Sequence, residues 1–192
     1  MKVVAVNGSP RKAGNTARML KEITKQAQQK GADIKYFDLV DMHIEDCKAC
    51  MQCKRTETCS QEDEMSIIKE EMKDADLLIL GSPIYMGAET GIMKSFIDRL
   101  YGFMLPTKEA GDFESRLEKG KKAIVLFTCG LADGDKIYNY IKVRYFDLLI
   151  KHLRFDDVRT FIVGGAIPSE DLRESAQAKD VLSDTEVFFS SG

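Results

Sequence analysis

The sequence lacks several features that would place it in a broad class at once. Its 192 residues contain no apolar run of about 18 residues that could cross a membrane. The first stretch, MKVVAVNGSPRK, is interrupted too early by Asn, Gly and Pro to read as a signal peptide. Lysine and arginine are spread through a chain of formal net charge −3, whereas nucleic-acid binding needs clustered positive charge. We therefore expect a soluble, cytoplasmic protein that has neither nucleic acid nor membrane as a partner.

Histidine is also scarce, and the common nucleotide fingerprints are missing. The two histidines, His43 and His152, have no sequence neighbours that suggest a catalytic triad or a metal site. The first loop of the chain, NGSPRKAGN, matches neither the G-x4-G-K-[ST] pattern nor G-x-G-x-x-G. We identify no catalytic acid, base or nucleophile, so any chemistry has to come from a bound cofactor.

Apolar runs alternate along the chain with long amphipathic stretches, a pattern typical of a parallel sheet covered by helices on both faces. The pattern predicts strands over 2–7, 33–39, 76–83, 121–130 and 157–165. It predicts helices over 16–31, 63–75, 90–103, 135–155 and 168–184, with a loop at 104–120. Strict alternation with right-handed crossovers predicts an α/β fold: a flavodoxin-like, doubly wound five-stranded parallel sheet in the order 2-1-3-4-5. We expect one domain over 1–192.

The loop after the first predicted strand has the composition of a phosphate site. Free amides at the start of the following helix, the hydroxyls of Ser9 and Thr16, and the charge of Arg11 would together hold a phosphate. The plainer alternative is a helix cap in a tight turn, with Thr16 capping and Pro10 stiffening the loop. A cap does not need eight small and polar residues in a row, so we favour the phosphate site.

The loop after the third predicted strand, GSPIYMG, suits a flat ligand. Pro83 fixes a turn, Tyr85 and Met86 offer apolar surface to a ring, and Gly87 lets backbone amides approach it. The alternative is a turn that only covers the end of the sheet. A phosphate at one strand end and a planar ring one strand spacing away, about 5 Å, is the geometry of bound FMN.

Four of the five cysteines crowd into the loop at 46–61, DCKACMQCKRTETCSQ, with the spacing C-x2-C-x2-C-x5-C. An iron–sulfur cluster, a zinc site, disulfides and redox-active thiols are all candidates. A reducing compartment and the crowding argue against disulfides, and zinc usually draws two separated pairs. Thiolates at i, i+3 and i+6 can surround a cube of iron and sulfide that the fourth closes. We favour the cluster, with empty thiols second and zinc third.

Together these motifs resemble, over the whole chain, the flavodoxin-like NADPH-dependent FMN reductases. With the added cysteines they resemble the archaeal and anaerobic iron–sulfur flavoproteins of that superfamily. The resemblance implies bound FMN and a 4Fe–4S cluster held by Cys47, Cys50, Cys53 and Cys59. The third flavin loop, TCGLADGD, departs from the usual glycine- and serine-rich pattern. The flavin contacts that the resemblance implies are Ser9, Arg11, Asn15, Thr16, Pro83, Ile84, Tyr85, Met86, Gly87, Thr128, Cys129 and Gly130.

The resemblance also implies a function: a flavin-dependent oxidoreductase that exchanges electrons between FMN and the cluster. Ferredoxin or NAD(P)H would be the donor, and a small molecule or protein the acceptor. A cluster-free NAD(P)H-dependent FMN or quinone reductase, a flavodoxin-like carrier without its own substrate, and a zinc or thiol sensor are the alternatives. We expect a homodimer or homotetramer, partly because the predicted helices at 90–103 and 135–155 are rich in apolar residues. We expect the cysteines at the sheet edge that carries the flavin loops, roughly 10 Å from the ring.

Overall fold

Five parallel strands form the central sheet of the computed structural model, which describes residues 1–109 and 112–190. The described residues form seven strands, five of which belong to this sheet: β1 Lys2–Asn7, β2 Asp33–Asp38, β3 Leu77–Pro83, β4 Met104–Pro106, β5 Phe113–Ser115, β6 Lys122–Thr128 and β7 Asp157–Val163. The sheet has the order β2-β1-β3-β6-β7, while β4 and β5 form a separate antiparallel hairpin. The predicted flavodoxin-like order 2-1-3-4-5 is confirmed.

Helices cover both faces of this sheet. They are α1 Asn15–Gln29, α2 Gln52–Thr56, α3 Met65–Asp74, α4 Gly91–Arg99, α5 Gly134–Ile137, α6 Asn139–Asp147 and α7 Ala176–Ser190. The apolar side chains of α1 and α7 pack on one face of the sheet, and those of α3, α4 and α6 pack on the other. Because both faces are covered, the central strands are apolar at nearly every position. None of the helices within the described ranges is long and apolar enough to cross a membrane.

Three segments differ from the sequence-based expectation. The predicted loop at 104–120 contains the β4–β5 hairpin. The single helix predicted over 135–155 is divided into α5, α6 and a π-helical turn at 148–152. The last helix begins at Ala176 instead of 168, since Ser175 caps it by accepting the Ala178 amide at 3.2 Å.

The third strand and the first helix approach each other closely at Gly81. A Cβ at this position would lie 2.2 Å from Cδ1 and 2.6 Å from Cγ of the fully buried Leu20. The carbonyl of Gly81 also accepts the Gly8 amide at 2.8 Å. Glycine at 81 therefore brings the loop after β1 next to the end of β3.

We expect Gly81→Ala to destabilise the fold by about 1–3 kcal/mol, because the added methyl overpacks a filled part of the core. Gly91→Ala is the matched control, since its Cβ meets nothing within 4 Å and lies at the start of α4. It should be neutral or stabilising by up to about 1 kcal/mol. Urea unfolding of both variants measures the difference, and equal stabilities would contradict this account of Gly81.

Candidate functional site

A cavity of about 590 Å³ lies at the carboxyl ends of the central strands. This is where ligands bind in doubly wound sheets, at the point where the strand order reverses. The cavity brings together all the sequence-predicted flavin contacts except Met86 and Gly87. Its lining residues are Ser9, Arg11, Ala13, Gly14, Asn15, Thr16, Arg18, Pro83, Ile84, Tyr85, Thr128, Cys129, Gly130, Ala166 and Pro168.

Sequence reasoning missed one wall of this cavity. Ala166 and Pro168 belong to the segment after β7, and Arg18 lies one turn into α1. A signal for the first two was available, because the carboxyl ends of parallel strands all meet at one edge of the sheet. Neither residue carries a distinctive functional group, so composition alone did not single them out.

The loop after β1 is held in shape by its own hydrogen bonds. The Asn7 side chain accepts the Ser9 amide at 3.0 Å, and Ser9 Oγ accepts the Arg11 amide at 3.1 Å. The Arg11 carbonyl accepts the Gly14 amide at 3.0 Å. Gly14 then precedes α1 without a side-chain cap. The first amides of α1 therefore remain available to an anion, at the positive end of the helix dipole.

Thr16 and Asn15 connect this loop to its neighbours. The hydroxyls of Thr16 and Thr128 lie 2.7 Å apart in a buried contact, which joins the first loop to the third. The side chain of Asn15 donates to the Ile167 carbonyl at 3.0 Å and accepts the Leu172 amide at 3.1 Å. Asn15 therefore fixes the segment after β7 against the start of α1. Thr16 connects the loop after β1 to the end of β6 and does not cap a helix.

A tight turn carries the predicted ring contacts after β3. Tyr85 and Ala88 exchange two backbone hydrogen bonds, of 2.8 and 3.1 Å. Between them Met86 and Gly87 have φ values of 50° and 83°, as a two-residue turn of this kind requires. Tyr85 is 48% exposed and lines the cavity, whereas Met86 is fully exposed and lies outside the lining.

Helix α6 holds this turn at two points, one helical turn apart. The Tyr140 hydroxyl donates to the Gly87 carbonyl. Arg144 donates to Glu89, whose side chain is 1% exposed. The ring loop therefore depends on α6 for its position, a contact that no sequence motif indicated.

The four clustered cysteines face a second, much smaller cavity of about 30 Å³, bordered also by Ser60 and Tyr101. Cys47 and Cys50 are exposed, while Cys53 and Cys59 are half-buried, and all four are free thiols. Hydrogen bonds from Ser60 and from the Gln52 backbone lower the pKa of Cys50. Among the residues the structure describes, no group of three or more His, Cys, Asp or Glu is arranged to hold a metal ion.

The backbone of the cysteine segment turns through left-handed conformations at three residues other than glycine. Ala49, Met51 and Glu57 have φ values of 50°, 61° and 65°. Each such residue costs about 1–3 kcal/mol, and such strain tends to gather at ligand-binding segments.

A buried ion pair anchors the cysteine segment to the body of the protein. Arg99 forms two hydrogen bonds with Asp63, of 2.6 and 2.8 Å, and the two side chains are 3% and 2% exposed. Both also bind Glu45: Arg99 donates to its carbonyl at 2.8 Å, and Asp63 accepts its amide at 2.9 Å. The chain on either side of the cysteines is therefore held to the end of α4.

The part of the cysteine segment around Cys53 and Lys54 lies next to the residues that follow α4. The Cys53 carbonyl accepts from Arg116 at 2.6 Å, and the Lys54 ammonium donates to the carbonyls of Tyr101 and Met104. These contacts are beyond the end of α4, which begins at the ring loop and extends about 14 Å away from it. The cysteine segment follows β2 and so begins at the edge of the sheet that carries the candidate flavin loops. Its part around Cys53 and Lys54 lies away from that edge, near the far end of α4.

Comparison with known proteins agrees with this geometry. Residues 1–137 match the family model described as NADPH-dependent FMN reductase. An iron-sulfur flavoprotein of Archaeoglobus fulgidus is 39% identical over 99 residues, which cover 52% of this chain and 48% of the relative. One from Methanocaldococcus jannaschii is 35% identical over 115 residues, 58% of this chain and 60% of that one. The chain thus spans about half the length of these curated relatives. The resemblance seen in the motifs is confirmed.

Solved structures share the fold. The NAD(P)H:quinone oxidoreductase from Methanothermobacter marburgensis superimposes with a TM-score of 0.73 at 16% identity, covering 98% of this chain and 97% of that one. An FMN-dependent NADH-azoreductase from Bacillus anthracis, solved with FMN, gives 0.72 at 15% identity, with coverages of 99% and 98%. At these identities the likeness establishes the fold alone.

We expect Asp63→Ala to destabilise the protein by about 3–5 kcal/mol, because it leaves the Arg99 guanidinium buried without a countercharge. Asp98→Ala is the control: Asp98 pairs with Lys94 on an exposed surface, and its loss should cost under about 1 kcal/mol. Chemical denaturation compares the two variants. A loss for Asp63→Ala no larger than for the control would refute the anchoring role.

The same pair predicts a pH dependence. Burial alone would raise the pKa of Asp63, but hydrogen bonds from Arg99 and from the Glu45 backbone lower it overall. A lowered folded-state pKa stabilises the protein fully above the unfolded value of about 3.9, and this contribution is lost as the pH falls through the folded value. Asp63→Ala should therefore lose less stability than wild type in that acidic range.

Proposed function

The chain belongs to the NADPH-dependent FMN reductase family, and from this we propose that it is a flavin-dependent oxidoreductase in which FMN exchanges electrons with a 4Fe–4S cluster. The observation that carries the flavin part is the single cavity that gathers three separate loops. The observation that carries the cluster part is the common cavity of the four clustered cysteines. When bound, FMN takes electrons in ones or twos and a cluster passes them singly.

The residues of the larger cavity fit FMN. The uncapped start of α1, the Ser9 loop and the exposed Arg11 suit a phosphate dianion. The Tyr85 turn and the Cys129–Gly130 segment border the remaining space, where a ring would lie. The described residues hold one phosphate loop, at the start of α1, and together with the family this leads us to assign FMN and not FAD. The protein contributes placement, backbone amides and exclusion of water.

The cysteine segment suits a cluster better than a single ion. Each thiolate of a 4Fe–4S cluster binds a different iron at a corner of a cube, so the sulfurs lie further apart than around one metal ion. That requirement is compatible with four thiols that share a cavity without forming a single-ion site. Cationic side chains lie close to the cysteines, as an anionic cluster would favour: Lys54 on α2 within the segment, Lys69 on α3, Arg99 on α4 and Arg116 just after β5.

A cluster-free NAD(P)H-dependent reductase is the second candidate, because the described residues contain no ready-made metal site. The flavodoxin-like carrier without a substrate is the third. An anaerobic preparation assayed for iron, sulfide and FMN per chain separates the first from the second. Turnover with NAD(P)H and an added acceptor separates either enzyme from a carrier.

For partners we propose NAD(P)H or ferredoxin as the donor, and a small molecule or protein as the acceptor. We propose the reducing cytoplasm as the location, since five unpaired thiols suit that compartment. We also propose a homodimer or homotetramer of this FMN-binding domain, because α5 and α6 expose Ile137, Tyr140, Val143 and Phe146 along one segment.

We predict that Arg11→Ala weakens FMN binding about 5- to 150-fold, the equivalent of about 1–3 kcal/mol for one charge-assisted hydrogen bond. Lys12→Ala is a matched control: it removes the same charge at the next position, where the ammonium binds Asp41 outside the cavity. Quenching of FMN fluorescence gives both dissociation constants. Equal constants would remove Arg11 from the phosphate site.

We predict that Cys59→Ala abolishes cluster binding and leaves FMN binding intact, because the two cofactors use different segments of the chain. Cys129→Ala is the control, since that buried thiol borders the flavin cavity. After anaerobic reconstitution, iron and sulfide should be lost from the first variant only. Full retention of iron and sulfide by Cys59→Ala would exclude the four-cysteine assignment.

We predict that the wild-type chain is a dimer or tetramer and that Val143→Glu shifts it towards monomer. Val143 is 54% exposed on α6, and a carboxylate buried in an interface there would lack a countercharge. Ile67→Glu, on a similarly exposed aliphatic residue of α3, should leave assembly unchanged. Light scattering at micromolar concentration tests both, and a monomeric wild type would refute the proposal.

A further inference from the structure

Lys69, in the middle of α3, places an ammonium group beside the cysteine segment. Its Nζ lies 5.0 Å from the centre of the Phe103 ring. It also occupies the space left by the missing side chain of Gly102. A Cβ at Gly102 would be 2.4 Å from Lys69 Nζ and 3.9 Å from Cys53 Cβ. Lys69 and Cys53 therefore meet across the same small gap.

In the part of the chain that the structure describes, this ammonium has no countercharge. Its Nζ makes no ion pair with a carboxylate and no hydrogen bond there. Burial lowers its pKa, and the largest influences in the opposite direction are the thiols of Cys59 and Cys53. Lys73, one turn further along the same helix, is exposed and pairs with Glu70 at 2.7 Å. The two lysines differ in their surroundings, because Lys73 pairs with a carboxylate whereas Lys69 lies beside the cysteine segment.

Three other cations near the cysteines already have partners. Arg99 is paired with Asp63, and both Lys54 and Arg116 donate to backbone carbonyls. A half-buried ammonium is costly unless a negative group lies nearby. Among the described residues, the sulfurs of Cys59 and Cys53 act on Lys69 more strongly than any carboxylate does, although Glu62 and Glu70 line the same pocket.

We propose that Lys69 is a positioning residue for the cluster. The Lys69 ammonium supplies a countercharge to the reduced form of the cluster and so raises the reduction potential of the cluster. This inference rests on the proposed function. Four thiolates and their cluster core carry net negative charge, and one electron from a donor such as the flavin adds one more without making or breaking a bond. A nearby fixed cation favours the more negative state, most strongly where water is partly excluded.

The test is a reductive titration of the anaerobically reconstituted protein with dithionite, in which the cluster is followed by electron paramagnetic resonance. Lys69→Met should lower the midpoint potential while iron and sulfide per chain stay at the wild-type level. Lys73→Met removes the same charge from the same helix at a paired, exposed position, and it should leave the potential unchanged.

A second variant, Gly102→Ala, keeps the lysine but places a methyl group where its ammonium lies. The potential should shift in the same direction as in Lys69→Met, and by less. This variant also carries the test if Lys69→Met does not retain its cluster, since the charge itself is still present.

The possible outcomes distinguish a failure of the proposed function from a failure of the role proposed for Lys69. A wild-type protein that takes up no iron and sulfide overturns the proposed function, and this inference with it. A wild-type protein that holds the cluster, with Lys69→Met or Gly102→Ala titrating at the wild-type potential, overturns the role of Lys69 alone.

Discussion

The candidate flavin site depends on one constraint: all five strands of the main sheet run parallel, so every loop that follows a strand emerges at the same edge. Residues that are more than a hundred positions apart meet there, and the Thr16–Thr128 contact is the clearest case. The close approach at Gly81 brings the first loop to the end of β3. The flavin cavity therefore follows from topology together with tight packing between β3 and α1.

The cysteine segment depends on a different interaction. Its ends are secured by the Arg99–Asp63 pair and the hydrogen bonds of that pair to Glu45. Buried pairs of this kind contribute more to a unique arrangement than to net stability, since both charges have to be desolvated. Here the pair fixes both ends of the segment, at Glu45 and at Asp63, against Arg99 of α4.

The two candidate cofactor sites differ in how the chain prepares them. The candidate flavin cavity is preformed by backbone hydrogen bonds and by the contacts of α6 with the loop after β3 through Tyr140 and Arg144. The cysteine site instead combines strained backbone at Ala49 and Met51 with surrounding cations. Strain and an uncompensated charge are both relieved by a bound anion, whereas the flavin loops require little adjustment.

The sequence by itself determined the strand order, the position of the two candidate flavin loops after β1 and β3, and the cysteine spacing, because each is encoded in local patterns of apolar residues, glycines or thiols. It did not indicate the break of the predicted helix at 135–155, the wall at Ala166 and Pro168, or the position of the cysteines along α4. Those features were decided by tertiary structure alone. Lys69 resembles any other helical lysine in sequence, and only packing against Gly102 makes it different. Contacts between distant segments depend on how helices and loops pack on the sheet, and no local pattern of residues encodes that packing.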